Sequence, residues 1–130
     1  MIVVDNSLLI DGLVDTGERG RKAMDRIKGE EMAAPELLDI EAMSTLRGLV
    51  LANKLSAARA GLALRGLAAL PIERFGHEAL VPRIWQLRNN VTPYDASYVA
   101  LAEDLDVTLV TGDARLAAAP GIRCSVEVLR

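Results

Sequence analysis

Short runs of apolar residues, several of them β-branched, alternate along this chain with longer segments of helical periodicity. The run Ile2–Val4 ends at an aspartate, and the later run Thr108–Thr111 ends at a glycine. We predict further strands over 32–34 and 71–75, and a weaker edge strand over 124–129. Strands that alternate with helices pair in parallel. The pattern therefore predicts an α/β fold, a three-layer α/β/α sandwich around a central parallel sheet of four to five strands.

The segments between these runs are predicted to be helical. Asn6 or Ser7 is the expected N-cap of the first helix, because both side chains can accept a bond from a free backbone N–H. Pro35 is expected to open the third helix, where its missing N–H does no harm. The predicted helices are 7–13, 18–28, 35–52, 56–70, 78–87, 92–105 and 113–118.

Length and composition indicate one domain over 1–130, with enough apolar residues (51%) for a substantial core. The net charge is −3, whereas proteins that grip nucleic acid through charge alone are usually strongly basic. Contact with RNA would therefore need a bound cation to offset the acids. The single cysteine, Cys124, excludes an intrachain disulfide and favours the cytoplasm. No apolar run approaches the roughly 20 residues of a membrane helix, so no membrane association is expected.

Two acids follow predicted strand ends, Asp5 after the first strand and Asp113 after Thr111 and Gly112. In open parallel sheets, ligands bind at the carboxyl ends of strands, so both acids are candidate site residues. Gly112 is expected to allow a tight bend that carries Asp113 back over the sheet edge. The alternative is structural, since aspartate at a strand-to-helix turn commonly caps the helix.

Two further acids, Glu41 and Asp95, lie on predicted helices. Glu41 shares a helix face with small residues that leave room for a ligand, although a glutamate there also serves as an ordinary helix former. Asp95 stands three residues after Thr92, where a capping box explains an acid well without preventing metal binding.

Together, the four acids can converge on one cleft in a fold of this class. Carboxylates within a few ångströms of each other repel strongly, so a cation or shared protons must compensate. No cysteine or histidine recurs at metal-ligand spacing in the sequence. A set of oxygen ligands alone favours Mg²⁺ or Mn²⁺ over Zn²⁺.

Four segments in this order and spacing resemble the PIN domain, and specifically the small VapC-type toxins of bacterial toxin–antitoxin pairs. The third and fourth segments together are fairly specific, and the similarity spans essentially the whole chain. The segments are 3–7 (VVDNS), 37–41 (LLDIE), 94–102 (YDASYVALA) and 109–116 (LVTGDARL).

The resemblance implies a PIN-like sandwich and an Mg²⁺-dependent endoribonuclease, with Mn²⁺ as a possible substitute. The metal would polarise the scissile phosphate and activate a water, which leaves a 5′ phosphate and a 3′ hydroxyl. Arg115 would either hold a flanking phosphate or remain a solvated charge. The resemblance assigns the acids as catalytic and metal-binding residues and three neighbours as supporting residues: Asp5, Glu41, Asp95 and Asp113, supported by Ser7, Thr111 and Asn6.

The family also implies partners, namely an RNA substrate, a VapB-like antitoxin and a second copy of the chain in a homodimer. The helix over 56–70 is rich in alanine and leucine on more than one face, so it either docks the antitoxin or is buried in the monomer. Recognition of single-stranded RNA would have few aromatic rings to use, and we expect most of them in the core. The aromatic residues are Phe75, Trp85, Tyr94 and Tyr98.

Two other functions fit part of the pattern. A phosphatase of the haloacid dehalogenase kind also places an aspartate after its first strand, but it needs a second aspartate where Ser7 stands, and a later lysine. A non-catalytic α/β protein-binding module, whose acids only cap helices, is the other alternative. Stabilisation by Mg²⁺ would separate an enzyme from such a module.

Overall fold

One parallel sheet organises the computed structural model, which describes residues 1–129. Within these residues it has five strands in the order β3-β2-β1-β4-β5, and every neighbouring pair is parallel. The predicted sandwich around a parallel sheet is confirmed, including the edge strand. The strands are β1 (Ile2–Val4), β2 (Met32–Pro35), β3 (Ile72–Phe75), β4 (Thr108–Thr111) and β5 (Val126–Val128).

Helices connect the strands and cover the sheet. A 3₁₀ turn, Glu78–Leu80, precedes α5, so the single helix predicted over 78–87 is wrong at its start. Pro82 in the first turn of α5 is compatible with a helix start, which explains where the α-helix begins. The helices are α1 (Asn6–Val14), α2 (Glu18–Ile27), α3 (Leu37–Leu51), α4 (Ala57–Ala69), α5 (Val81–Gln86), α6 (Pro93–Leu105) and α7 (Ala114–Ala118).

The strand order reverses between β1 and β4. The chain moves outward from β1 through β2 to β3, and then returns to place β4 on the other side of β1. Val4 pairs with Val110, so the carboxyl ends of β1 and β4 lie side by side. Such a reversal leaves a crevice beyond the strand ends, where ligands of open α/β sheets bind. Asp5 and Asp113 are both at this edge.

The most deeply buried part of the core includes the neighbouring strands β1 and β4 and the helix α6. Val3, Val4, Leu109 and Val110 are fully buried, and each such side chain contributes about 1.5–3 kcal/mol of burial free energy. All seven residues from Ala96 to Ala102 of α6 are buried. This helix therefore lies deep in the structure and fixes the position of its first turn, which carries Asp95.

Two further predictions about helix starts are wrong. Asp5, rather than Asn6 or Ser7, caps α1, because its extended backbone lets the carboxylate accept a bond from the Leu8 N–H. Pro35 belongs to the end of β2 instead of opening α3. The pairing of β1 with β2 stops at Ala33, so a proline two residues later lies beyond that ladder.

The aromatic residues do not collect in the core as expected. Tyr98 is buried and Phe75 is half-buried, whereas Trp85 and Tyr94 are 63% and 60% exposed. The sheet core is filled by valine, leucine and alanine instead. Within residues 1–129, no helix is both long enough and apolar enough to cross a membrane.

The space around two helical glycines, Gly20 and Gly61, predicts opposite effects of alanine on stability. A Cβ at Gly20 of α2 would lie 1.9 Å from the Asp15 carbonyl oxygen, whereas one at Gly61 of α4 would have no neighbour within 4 Å. Gly20→Ala should therefore lower the free energy of unfolding by about 1–3 kcal/mol or more. Gly61→Ala should raise it by about 0.5–1 kcal/mol, because alanine favours a helix. Urea unfolding followed by circular dichroism measures both, and an unchanged midpoint for Gly20→Ala would contradict this packing.

Candidate active site

Asp5 is the buried centre of the crevice, with only 7% of its surface exposed. Its Oδ1 accepts bonds from the Ser7 hydroxyl at 2.8 Å and the Leu8 N–H at 3.0 Å. Its Oδ2 accepts a bond from the Thr111 hydroxyl of β4. Burial raises the pKa of the Asp5 carboxyl above its ordinary value, although the three donors oppose that rise. The carboxylate is thus held in one orientation by neutral groups.

The predicted supporting hydroxyls, Ser7 and Thr111, connect Asp5 to the loop after β4. Thr111 Oγ1 accepts a bond from the Asp113 N–H at 3.0 Å, and Ser7 Oγ accepts one from the Gly112 N–H at 3.2 Å. Gly112 does not have the positive φ that would mark a glycine-dependent bend. It allows a close approach instead, since a Cβ there would lie 3.3 Å from Ser7 Oγ.

Glu41 projects from α3 and is held by α6. Its Oε1 accepts a bond from the Tyr98 hydroxyl at 2.7 Å. Burial raises the pKa of the Glu41 carboxyl, the Tyr98 hydroxyl opposes the rise, and the charges of Asp95 and Asp5 add to it. Glu41 is therefore near enough to both aspartates to be repelled by them.

Asn6 lies beside Asp5 in the chain and reaches across to α3. Its Nδ2 donates to the Thr45 hydroxyl at 3.0 Å. Its Oδ1 is buried and, among residues 1–129, has no hydrogen-bond donor. A buried amide oxygen without a partner is uncommon. Asn6 therefore braces α1 against α3 and keeps one buried amide oxygen unsatisfied.

Asp95 stands in the first turn of α6, where the Thr92 hydroxyl accepts a bond from its backbone N–H at 3.2 Å. Thr92 is the N-cap of α6, as the capping-box pattern before Asp95 predicts. Burial raises the pKa of the Asp95 carboxyl, as does the charge of Asp113, while Arg115 opposes the rise. Asp95 is half-buried and faces the crevice from the helix side.

Asp113 caps α7 and is engaged by Arg115. Its Oδ1 accepts a bond from the Arg115 N–H at 2.9 Å, and the guanidinium forms an ion pair with its Oδ2 at 3.2 Å. The hydrogen bond from Arg115 lowers the pKa of the Asp113 carboxyl. Asp113 and Asp95 line one cleft of about 470 Å³. Arg115 is exposed to solvent, in agreement with the predicted solvated charge, and it pairs with Asp113 at the surface.

Three carboxylates form the electrostatic centre of the site: Asp5, Glu41 and Asp95. Within the described chain, none of them has an ion-pair partner. The charge of Asp95 raises the pKa of both of the others. Mutual repulsion without a pairing cation favours the uptake of one.

The donor chemistry of these residues fits a hard divalent cation. Every side-chain group offered is a carboxylate, hydroxyl or amide oxygen, which Mg²⁺ and Mn²⁺ prefer. In this conformation no three Asp, Glu, His or Cys side chains of residues 1–129 have the arrangement of a metal site. Asp5 and Glu41 instead direct oxygens at hydroxyl groups. The described residues therefore supply the negative charge and the oxygen ligands that a divalent cation needs, but in this conformation they are not gathered around one point.

Sequence reasoning missed the contacts of two site residues, Tyr98 and Thr45. The prediction of a core position for most aromatic rings is confirmed for Tyr98, but its hydroxyl donates to Glu41. A tyrosine among the small and aliphatic residues of 96–102, three residues after a candidate acid, is a usable signal because a buried hydroxyl needs a partner. Thr45 shares a helix face with Glu41, one turn later, which is a weaker sign.

Comparisons with known proteins identify the family of this chain. The PIN domain family matches residues 2–122. Ribonuclease VapC1 of Mycobacterium tuberculosis is 44% identical over 129 residues, covering 98% of this chain and 97% of that protein. Ribonuclease VapC9 of the same species is 40% identical over 129 residues, 99% of this chain and 98% of its own length.

A solved structure gives the same answer for the fold. M. tuberculosis VapC20, described as a sarcin–ricin loop cleaving toxin, superposes with a TM-score of 0.70 at 14% identity, over 95% of this chain and 97% of that one. The chain belongs to the PIN-domain family. Within that family it is a member of the VapC ribonucleases, as the four sequence segments predicted. This membership favours the ribonuclease over the phosphatase and the non-catalytic module.

The raised pKa of Asp95 predicts how stability depends on pH. A carboxyl with a raised pKa binds its proton more tightly in the folded state, so its contribution to stability falls as pH rises above the ordinary value of about 4. In EDTA, Asp95→Asn should therefore gain stability relative to wild type as pH rises from about 4 towards 7. Urea unfolding at several pH values measures the difference. Asp104→Asn, on the exposed face of the same helix, is the control. If the free energy of unfolding of wild type and of Asp95→Asn depends on pH in the same way, the Asp95 carboxylate is not destabilised by burial and by its neighbouring charge.

Proposed function

We propose that this chain is a single-domain, metal-dependent endoribonuclease and the toxin of a toxin–antitoxin pair, in which Asp5, Glu41 and Asp95 hold Mg²⁺ or Mn²⁺. Asp113 is placed beside them, where its ion pair with Arg115 leaves it a supporting role or a ligand role after that pair opens. The ribonuclease class follows from membership of the VapC family.

One observation carries the metal assignment. Three carboxylates repel one another at the crevice where the strand order reverses, and no ion pair relieves them within residues 1–129. Helix capping accounts for Asp5 and Asp113, which do cap α1 and α7. It does not account for Glu41, which is in the second turn of α3 and faces the aspartates.

The metal ion and the protein side chains would have different roles in the reaction. A bound divalent ion supplies charge to polarise the scissile phosphate and to make water a better nucleophile at neutral pH. Ser7 and Thr111 keep the Asp5 carboxylate oriented, and Tyr98 does the same for Glu41. Asn6, next to Asp5 in the chain, holds α1 against Thr45 of α3. Groups held in place before substrate arrives need no reorganisation during the reaction.

The proposal also covers the binding partners of the protein and its location in the cell. Helix α4 buries Ala60, Ala63 and Leu67 against the domain, but Leu62 and Leu64 on its other faces are exposed. We assign the apolar surface along Leu64, between α3 and α4, to a VapB-like antitoxin, because an apolar surface of this kind marks a protein contact. A homodimer in the cytoplasm is the assembly proposed for the free toxin.

Metal binding can be tested without any RNA. Mg²⁺ or Mn²⁺ at about 100 times its Kd should raise the free energy of unfolding of the wild type by about 2.7 kcal/mol. The same ions should stabilise Asp95→Asn much less and Asp104→Asn as much as wild type. Thermal unfolding with and without each ion gives the shifts. Equal melting temperatures for wild type with EDTA and with either ion would refute the metal assignment.

Catalysis is tested with the same substitutions. Asp5→Asn and Asp95→Asn should lower the rate of cleavage of single-stranded RNA by about 100-fold or more, since each removes a carboxylate from the site. Asparagine caps helices as well as aspartate, so Asp5→Asn should remain folded. Sequencing of the RNA ends identifies the products, and Asp104→Asn should cut like wild type. Unaltered cleavage by Asp5→Asn would remove Asp5 from the mechanism.

A further inference from the structure

An exposed tryptophan stands next to the acidic cleft. Trp85 is the only tryptophan of the chain, and 63% of it is exposed. Tyr94, with 60% exposed, lies between Pro93 and Asp95, which both line the cleft. The connecting segment 88–93 also lines the cleft. The two exposed aromatic rings therefore flank the stretch of chain that forms one wall of the cleft.

Arg88 joins the exposed ring to the cleft. Its guanidinium carbon lies 4.6 Å from the centre of the Trp85 ring, and its Nη1 donates to the Trp85 carbonyl at 2.9 Å. The side chain lines the cleft and, in the part of the chain that the structure describes, forms no ion pair. Arg115, the other arginine of the cleft, is paired with Asp113. Arg88 is thus a cation held in place and available to an anion.

A tryptophan ring covered on one face by an arginine, beside an acidic cleft, is suited to binding single-stranded nucleic acid. Unpaired bases expose their faces and stack on aromatic rings, whereas the bases of a duplex are already stacked. A phosphate meets repulsion from the acids of this cleft, and an arginine at its wall offsets that repulsion. The chain has no general excess of basic residues to do so, because its net charge is −3.

We propose that Trp85, Arg88 and Tyr94 form the surface on which a single-stranded stretch of RNA lies as it enters the acidic cleft. Arg88 contacts a phosphate and covers one face of the Trp85 ring, and the other face stacks on a base. Tyr94 offers a second stacking surface beside Asp95. This assignment rests on the proposed function, since it names how the same site takes its substrate.

Because the chain has one tryptophan, its fluorescence reports this contact directly. The probe is an unstructured RNA of about twelve nucleotides, within the length that single-strand sites cover. It should quench Trp85 saturably, in wild type with EDTA and in Asp5→Asn with Mg²⁺. The same RNA annealed to its complement should quench several-fold less at equal concentration. Unchanged fluorescence at saturating single-stranded RNA overturns the proposal.

Substitutions separate this surface from the catalytic groups. Trp85→Ala should raise KM for single-stranded RNA about 5- to 150-fold with little change in kcat, the range for losing one stacked base. Arg88→Ala should reduce the slope of log affinity against log salt by about 0.7, the value for one phosphate of a single strand. The matched controls are Leu62→Ala and Arg65→Ala on α4, both exposed and outside the cleft.

The outcomes distinguish this surface from the nuclease assignment. Quenching and salt dependence as expected, in a protein that cuts no RNA, would support the surface and refute the proposed function. Normal cleavage with no quenching, or with Arg88→Ala indistinguishable from Arg65→Ala, would leave the nuclease intact and refute the surface. In that second case the exposed rings belong to a contact with a protein.

Discussion

The rest of the site depends on one buried carboxylate, that of Asp5, which neutral donors hold in place. Burying a charge is costly unless it is hydrogen-bonded, and here two hydroxyls and one backbone N–H satisfy it. Because Thr111 belongs to β4 and Ser7 to α1, the same bonds join the two sides of the crevice. The same hydrogen bonds therefore hold α1 against β4 and fix the position of the Asp5 charge.

Hydrogen bonds from neutral donors leave the negative charge of Asp5 in place, which a salt bridge would not do. An arginine beside Asp5 would cancel its charge, whereas a hydroxyl orients the carboxylate and leaves the charge available to a metal ion. Glu41 is held in the same way by the Tyr98 hydroxyl. Of the four site acids, as the described residues show them, only Asp113, which is nearer the surface, pairs with an arginine. The unpaired negative charge is greatest deep in the crevice, where the screening effect of water is weakest.

Local patterns in the sequence predicted most of the fold but little of the site geometry. The β-branched run before Asp5 and the helix from Thr92 were predictable because each depends on neighbouring residues. Pro35 was misplaced because its tolerance in β2 depends on where β1 stops pairing, which is a property of the sheet. The bond from Tyr98 to Glu41 joins residues 57 positions apart, and no local periodicity encodes such a pairing.

The acidity of the chain constrains how it can handle RNA. A protein with net charge −3 gains little from general attraction to phosphates. On the proposed function, attraction comes from two local sources, a metal ion among the acids and Arg88 at the cleft wall. Stacking on Trp85 adds affinity that salt does not screen, because it involves no net charge. Affinity for RNA is then confined to the surface beside the acids, so that an unpaired strand bound there lies next to the groups that cut it.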